Sequence, residues 1–173
     1  MKVIDLSSPL YDGMPVYPGD PAVSIEVVHT YEEDSWQLRQ LSLGSHTGTH
    51  VDALSHMHPD GKRLDEMDLT QFFGPAAVVD LDAEWPKAVG LFFTEPVTTA
   101  YLDKIVKFQP VFVGGELSVD LERALLGQGI VTYTGLVNLE RLPRGIIFSF
   151  FGLPLNILGG DGSPVRAIAL LKD

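Results

Sequence analysis

The stretch Gly44-Ser45-His46-Thr47-Gly48-Thr49-His50-Val51-Asp52-Ala53-Leu54-Ser55-His56-Met57-His58 concentrates groups that can hold a divalent ion or move a proton. The imidazoles of His46, His50 and His56 with the carboxylate of Asp52 make a nitrogen and oxygen donor set that suits zinc and, less selectively, manganese or iron. The chain has no cysteine, so disulfides and thiolate metal sites are excluded. An ion with three protein ligands keeps a position open for water, lowers that water's pKa to about 7 and polarises a substrate carbonyl. His56 adds a third imidazole, a group able to ligate an ion or to move a proton.

The spacing constrains the backbone. On a helix His46 and His50 would share a face, but Asp52 and His56 would point away from it, and Gly44, Thr47, Gly48 and Thr49 are poor helix formers. On an extended chain, positions 46, 50, 52 and 56 all project from one face, and Leu41 and Leu43 project from the other, towards a core. A straight strand still puts His46 and His50 roughly 13 Å apart, whereas a zinc ion needs each nitrogen at about 2.1 Å. The chain must bend between them, and Gly48 is the residue that permits it. The competing reading is a polar surface loop whose histidines bind nothing. The shared parity of three histidines and an aspartate beside a bend-permitting glycine favours the metal reading. His58, just before the turn signal Pro59-Asp60-Gly61, is expected to be exposed, and His29 to end a strand without a partner.

These groups need a scaffold, and composition limits it. The chain of 173 residues is 45% hydrophobic and 20% charged, enough for one domain spanning 1–173 with its own core. Its 17 glycines and 12 prolines indicate many turns and short elements. A net charge of −11 opposes a nucleic-acid or anionic-membrane partner and fits a small-molecule substrate. The most apolar run, Ile146 to Leu158, is interrupted by Ser149, Gly152 and Pro154, and the N-terminus lacks the apolar stretch of a signal peptide; the expected location is cytoplasmic.

Strand-like runs occur at Val3–Leu6, Ile25–His29, Leu38–Leu43, Ala76–Leu81, Val89–Phe93, Val111–Val113, Ile130–Tyr133, Ile146–Phe151 and Val165–Leu171. Helical patterns occupy Thr98–Lys107, behind Thr98 or Thr99, and Asp120–Leu126, capped by Ser118 and stopped at Gly127. This pattern predicts an α/β fold with a mixed or barrel-like sheet and helices on one face.

The run His46-Thr47-Gly48-Thr49-His50-Val51-Asp52-Ala53 with His56 resembles the signature of the cyclase family, which includes bacterial kynurenine formamidases and isatin hydrolases. Further similar stretches are Asp60-Gly61-Lys62-Arg63-Leu64-Asp65-Glu66, Ile4-Asp5-Leu6-Ser7, Val16-Tyr17-Pro18-Gly19-Asp20, Gly135-Leu136-Val137-Asn138-Leu139, Leu153-Pro154-Leu155 and Gly160-Asp161-Gly162-Ser163-Pro164-Val165-Arg166. The resemblance implies a swivelling β/β/α-type fold and a homo-oligomer, a dimer or tetramer. It implies a first ion, zinc or manganese, on His46, His50 and Asp52, with Asp52 able to bridge to a second. His56 is the implied catalytic acid/base, and Tyr17 stands where formamidases carry an aromatic residue against the substrate.

Where the family pattern has a histidine and a glutamate for the second ion, this chain has Glu122 and Thr134. The expectation is therefore one tight ion per chain, with Glu122 the residue that could still reach an ion bound by Asp52. Arg166 is expected in a structural ion pair. The implied activity is hydrolysis of an amide, formamide or cyclic amide C–N bond. The alternative is a non-catalytic member that binds a small molecule or metal.

Overall fold

The computed structural model describes residues 1–171. Its strands are β1 (Lys2–Asp5), β2 (Ser24–His29), β3 (Leu38–Ser42), β4 (His50–Asp52), β5 (Phe73–Val78), β6 (Gly90–Val97), β7 (Phe112–Leu117), β8 (Val131–Thr134), β9 (Phe148–Phe151), β10 (Gly162–Pro164) and β11 (Ile168–Leu171). The helices are α1 (Tyr31–Asp34), α2 (Leu102–Phe108) and α3 (Val119–Gly127). Among the described residues, nine strands form one sheet in the order β1-β11-β9-β5-β6-β7-β8-β4-β10, and β2 and β3 form a separate hairpin.

Pairing is parallel from β5 through β8 and antiparallel on both sides. The parallel strands are buried on both faces, and their side chains alternate between two cores. Ala76, Val78 and Phe92 enter one core, whereas Ala77, Val79, Leu91 and Phe93 enter the other. In the second core Ile105 of α2 and Leu121 and Leu125 of α3 cover the sheet. The first core draws on Ile4 of β1 and Val51 of β4, from opposite ends of the sheet, so the sheet curls around it. A backbone bond from Val137 to Leu6 and a bridge between Ser7 and Leu136 tie those ends together.

All nine predicted strand runs contain strands, with boundaries shifted by a few residues. Ser118 caps α3 by accepting a hydrogen bond from the Leu121 amide, as its position predicts. The run Thr98–Lys107 begins as a 3-10 turn at Thr99–Tyr101 before becoming α2. One expectation fails: Leu41 does not face the core but is 54% exposed, because among the described residues its strand pairs only within the β2–β3 hairpin. The register assumed to run from Leu41 into the histidines is broken by the turns of residues 43–49.

Candidate functional site

Strand β4 runs antiparallel to β8, with His50 opposite Thr134, Val51 opposite Tyr133 and Asp52 opposite Thr132. Directly opposed residues share a face. Val51 and Tyr133 go into the core, while His50, Asp52 and Thr134 line a cavity of about 330 Å³ with Tyr17, Asp20, His46, His56, Met57, Val119 and Glu122. On its other side β4 pairs with β10, with Gly162 opposite Asp52. A side chain at Gly162 would collide with the His46 ring, so this glycine makes room for the imidazole.

The bend expected at Gly48 is present, with φ +65, and a Cβ there would come within 2.8 Å of Leu10. The shared-parity picture holds for His50 and Asp52. It fails at the ends: His46 lies in the preceding turn, and His56 in a 3-10 turn at Leu54–His56. These turns, rather than one strand face, bring the rings together. His46 and His56 have centroids 3.8 Å apart, and His46 meets His50 edge-on at 5.2 Å.

Asp52 is the best-held charge. Its Oδ1 lies 2.8 Å from His46 Nδ1 and 3.6 Å from His50 Nε2, and its Oδ2 accepts a 2.6 Å bond from the Thr132 hydroxyl. Burial works against its ionisation. The bond to His46, the nearby His50 and the Thr132 hydroxyl outweigh that and hold the carboxyl below its ordinary range. Burial also disfavours charge on His46, yet hydrogen bonds to Asp52 and Asp161 raise its pKa. In His50 burial dominates over the attraction of Asp52, and its pKa is lowered. Nδ1 of His50 lies 2.8 Å from the Gly48 carbonyl, so it carries the proton and leaves Nε2 as a neutral donor facing Asp52. His46, Asp52 and His56 also converge, offering ligand atoms within 4.8 Å of one another.

Glu122 comes from the first turn of α3 into the cavity, where Thr134 donates a 3.0 Å hydrogen bond to it. Burial, then the charge of Asp52, raises its pKa to about 7, with the Thr134 bond opposing. The two residues at the implied second-ion positions therefore meet each other. Tyr17 lines the cavity and is 68% exposed. Arg166 makes its expected ion pair, with Asp5 at 2.7 Å.

Two histidines have more company than expected. His58 Nε2 lies 2.7 Å from the Arg123 carbonyl, and His29 pairs with Asp34 at 3.1 Å and stacks on Trp36. Three polar groups escaped the sequence reading. Thr132 is fully buried behind Asp52, Asp20 lines the cavity mouth, and Asp161 lies 3.0 Å from His46 Nε2 and 3.7 Å from His56 Nδ1. The Asp161 contact spans more than a hundred residues, and only the β4–β10 pairing creates it.

Residues 4–110, which include the whole histidine segment, match the Cyclase family model. The chain belongs to the cyclase family. This cyclase-family chain is 35% identical to a kynurenine formamidase of Salinibacter ruber, with 97% of each chain covered, and 32% identical to one from Geobacillus thermodenitrificans, with 95% of each covered. The first alignment is 207 positions long for a chain of 173 residues, so it contains gaps. In fold it is similar to isatin hydrolase A from Labrenzia aggregata, with a TM-score of 0.83 at 20% identity over 99% of this chain and 94% of that one. The swivelling β/β/α-type fold of the family is the fold of this chain. Among its described residues, no helix is long and apolar enough to cross a membrane.

Proposed function

We propose that this protein is a metal-dependent hydrolase of an amide, formamide or cyclic amide C–N bond in a small molecule. We assign His46, His50 and Asp52 as ligands of one divalent ion, zinc or manganese, and His56 as general acid and base. The observation that carries this reading is the buried Asp52, held from behind at Oδ2 by Thr132, with imidazole nitrogens of His46 and His50 facing its other oxygen, Oδ1. The donor set fits such an ion: His46 Nδ1 and Asp52 Oδ1 at 2.8 Å share a proton that a cation would displace. When bound, the ion supplies Lewis acidity and a water of lowered pKa.

The protein's own groups do the rest. Asp52 and the histidines fix the donor geometry. His56, 29% exposed at the cavity wall, accepts a proton from the attacking water and returns it to the leaving nitrogen. Tyr17, Met57 and Val119 give the cavity apolar surface for a flat or aromatic substrate, and Tyr17 stands at its wall as the substrate-facing aromatic. Kinship with kynurenine formamidases and the isatin hydrolase fold support the reaction class. We further propose a single-domain homo-oligomer, a dimer or tetramer, in the cytoplasm.

A second reading of the ligand set rests on the mutual approach of His46, Asp52 and His56. In it His56 is a ligand and His50 is not. Both readings meet one experiment: zinc- or manganese-loaded protein assayed against N-formylkynurenine, isatin and simple cyclic amides, alongside His56→Ala. Turnover of at least one substrate, reduced on the order of 10²- to 10⁴-fold in His56→Ala with metal content intact, is the expected result. Loss of the ion in His56→Ala moves His56 into the ligand set. A loaded protein that turns over none of these compounds leaves the family member as a binding protein.

A further inference from the structure

Asp161 sits just before β10, and its backbone carbonyl accepts the Ala53 amide at 2.9 Å, which fixes the backbone beside β4. Its side chain touches three groups of the histidine segment. Ser45 donates its hydroxyl to Oδ1 at 2.9 Å, His46 Nε2 lies 3.0 Å from Oδ2, and His56 Nδ1 approaches the same oxygen at 3.7 Å. His46 therefore has one ring nitrogen turned to Asp52 and the other to Asp161.

A histidine that ligates through one nitrogen must carry its proton on the other, and a carboxylate there fixes both tautomer and ring orientation. The Asp52-facing nitrogen, Nδ1, is thus the donor atom of His46, and Nε2–H is the proton bound to Asp161. The 3.8 Å contact of the His46 and His56 rings puts the acid/base histidine against the same carboxylate. The missing side chain at Gly162 lets the His46 ring lie against β10 next to Asp161.

From this geometry we infer that Asp161 is a positioning residue shared by two histidines, holding His46 as an Nδ1 ligand and His56 in its proton-transfer orientation. The inference rests on the ligand and acid/base roles proposed above and adds a residue to them. It predicts that the reactive geometry is set from the C-terminal segment as well as from the histidine segment.

The test is zinc titration by calorimetry with steady-state kinetics on the full chain and its Asp161→Ala, Asp161→Asn and Ser45→Ala variants. Melting by circular dichroism checks that each variant folds. Asp161→Ala is expected to keep one zinc equivalent at saturation, with affinity lowered about 10- to 100-fold. At saturating zinc its kcat should fall by a similar factor with KM unchanged. Asp161→Asn, which retains one acceptor oxygen and nearly the same shape, should fall between Asp161→Ala and the parent, and Ser45→Ala should show the smallest loss. Parent-like zinc affinity and kcat in Asp161→Ala would overturn the inference, and so would complete loss of the zinc equivalent, which would make Asp161 a ligand. Failure of the underlying reading looks different. It shows as undiminished zinc in His46→Ala, or as a zinc-loaded parent that hydrolyses nothing, and in the latter case the zinc-affinity comparison still decides the role of Asp161.

Discussion

The cavity has two walls built to different standards. On the histidine wall, Asp52 is bonded by Thr132 and His46, His46 by Asp52 and Asp161, Asp161 by Ser45, and His50 by the Gly48 carbonyl. Each donor atom is aimed, and His50, Asp52 and Thr132 are buried. On the α3 wall, Glu122 and Thr134 are joined by a single hydrogen bond, beside apolar Val119. On the proposed one-ion reading, the α3 wall is where the second-ion site implied by the family resemblance is lost. A threonine hydroxyl at 134 lacks the charge and basicity of a carboxylate ligand, and it satisfies Glu122 instead. On that reading the first wall is pre-organised for a cation, whereas on the second Glu122 and Thr134 satisfy each other.

The sharpest way to break the comparison is His50→Ala. Removing a neutral nitrogen donor from a three-ligand set should eliminate the tight ion and all turnover. Metal content measured by atomic emission after dialysis checks this, and full content in the variant would place the ion elsewhere.

A smaller effect is expected from behind the ligand. Thr132→Val keeps shape but leaves Asp52 Oδ2 buried without its hydroxyl, so zinc affinity should drop roughly 10- to 100-fold. Thr132→Ser, which keeps the donor, should recover most of it. Equal affinities in the two variants would mean that Thr132 matters only for packing.

The smallest effect belongs to the other wall. Glu122→Gln should leave the single tight equivalent in place, and losing that equivalent, or finding a second tight one in the parent protein, would show a rebuilt second site. The same variant has a pH signature in the metal-free protein. Glu122 has a folded pKa of about 7, above its ordinary value of 4.5, so in that window the native state holds a proton that the unfolded chain has released. Its contribution to stability is therefore lost as pH rises from 4.5 through about 7. Thermal melts across that range should show a shallower loss of stability with rising pH in Glu122→Gln than in the parent.

The amino-acid sequence by itself determined the donor types, because a chain without cysteine offers zinc or manganese only nitrogen and oxygen ligands. It also determined the bend, because Gly48 adopts a positive φ that other residues resist, and the strand positions, because alternating and apolar runs report burial locally. The pairing of Glu122 and Thr134 positions could be anticipated as a change at the second ion, though not as a hydrogen bond between them. Tertiary structure decided the remainder. The assumed continuation of β3 into the histidines failed at Leu41, since a strand's inner face depends on which strands flank it, and among the described residues β3 pairs with β2 alone. Thr132 and Asp161 acquire their roles from β4 lying between β8 and β10, a register formed by segments some 80 and 110 residues away along the chain. Local pattern cannot encode such a neighbour, because the hydrogen bonds that select it form only when the sheet closes around its core.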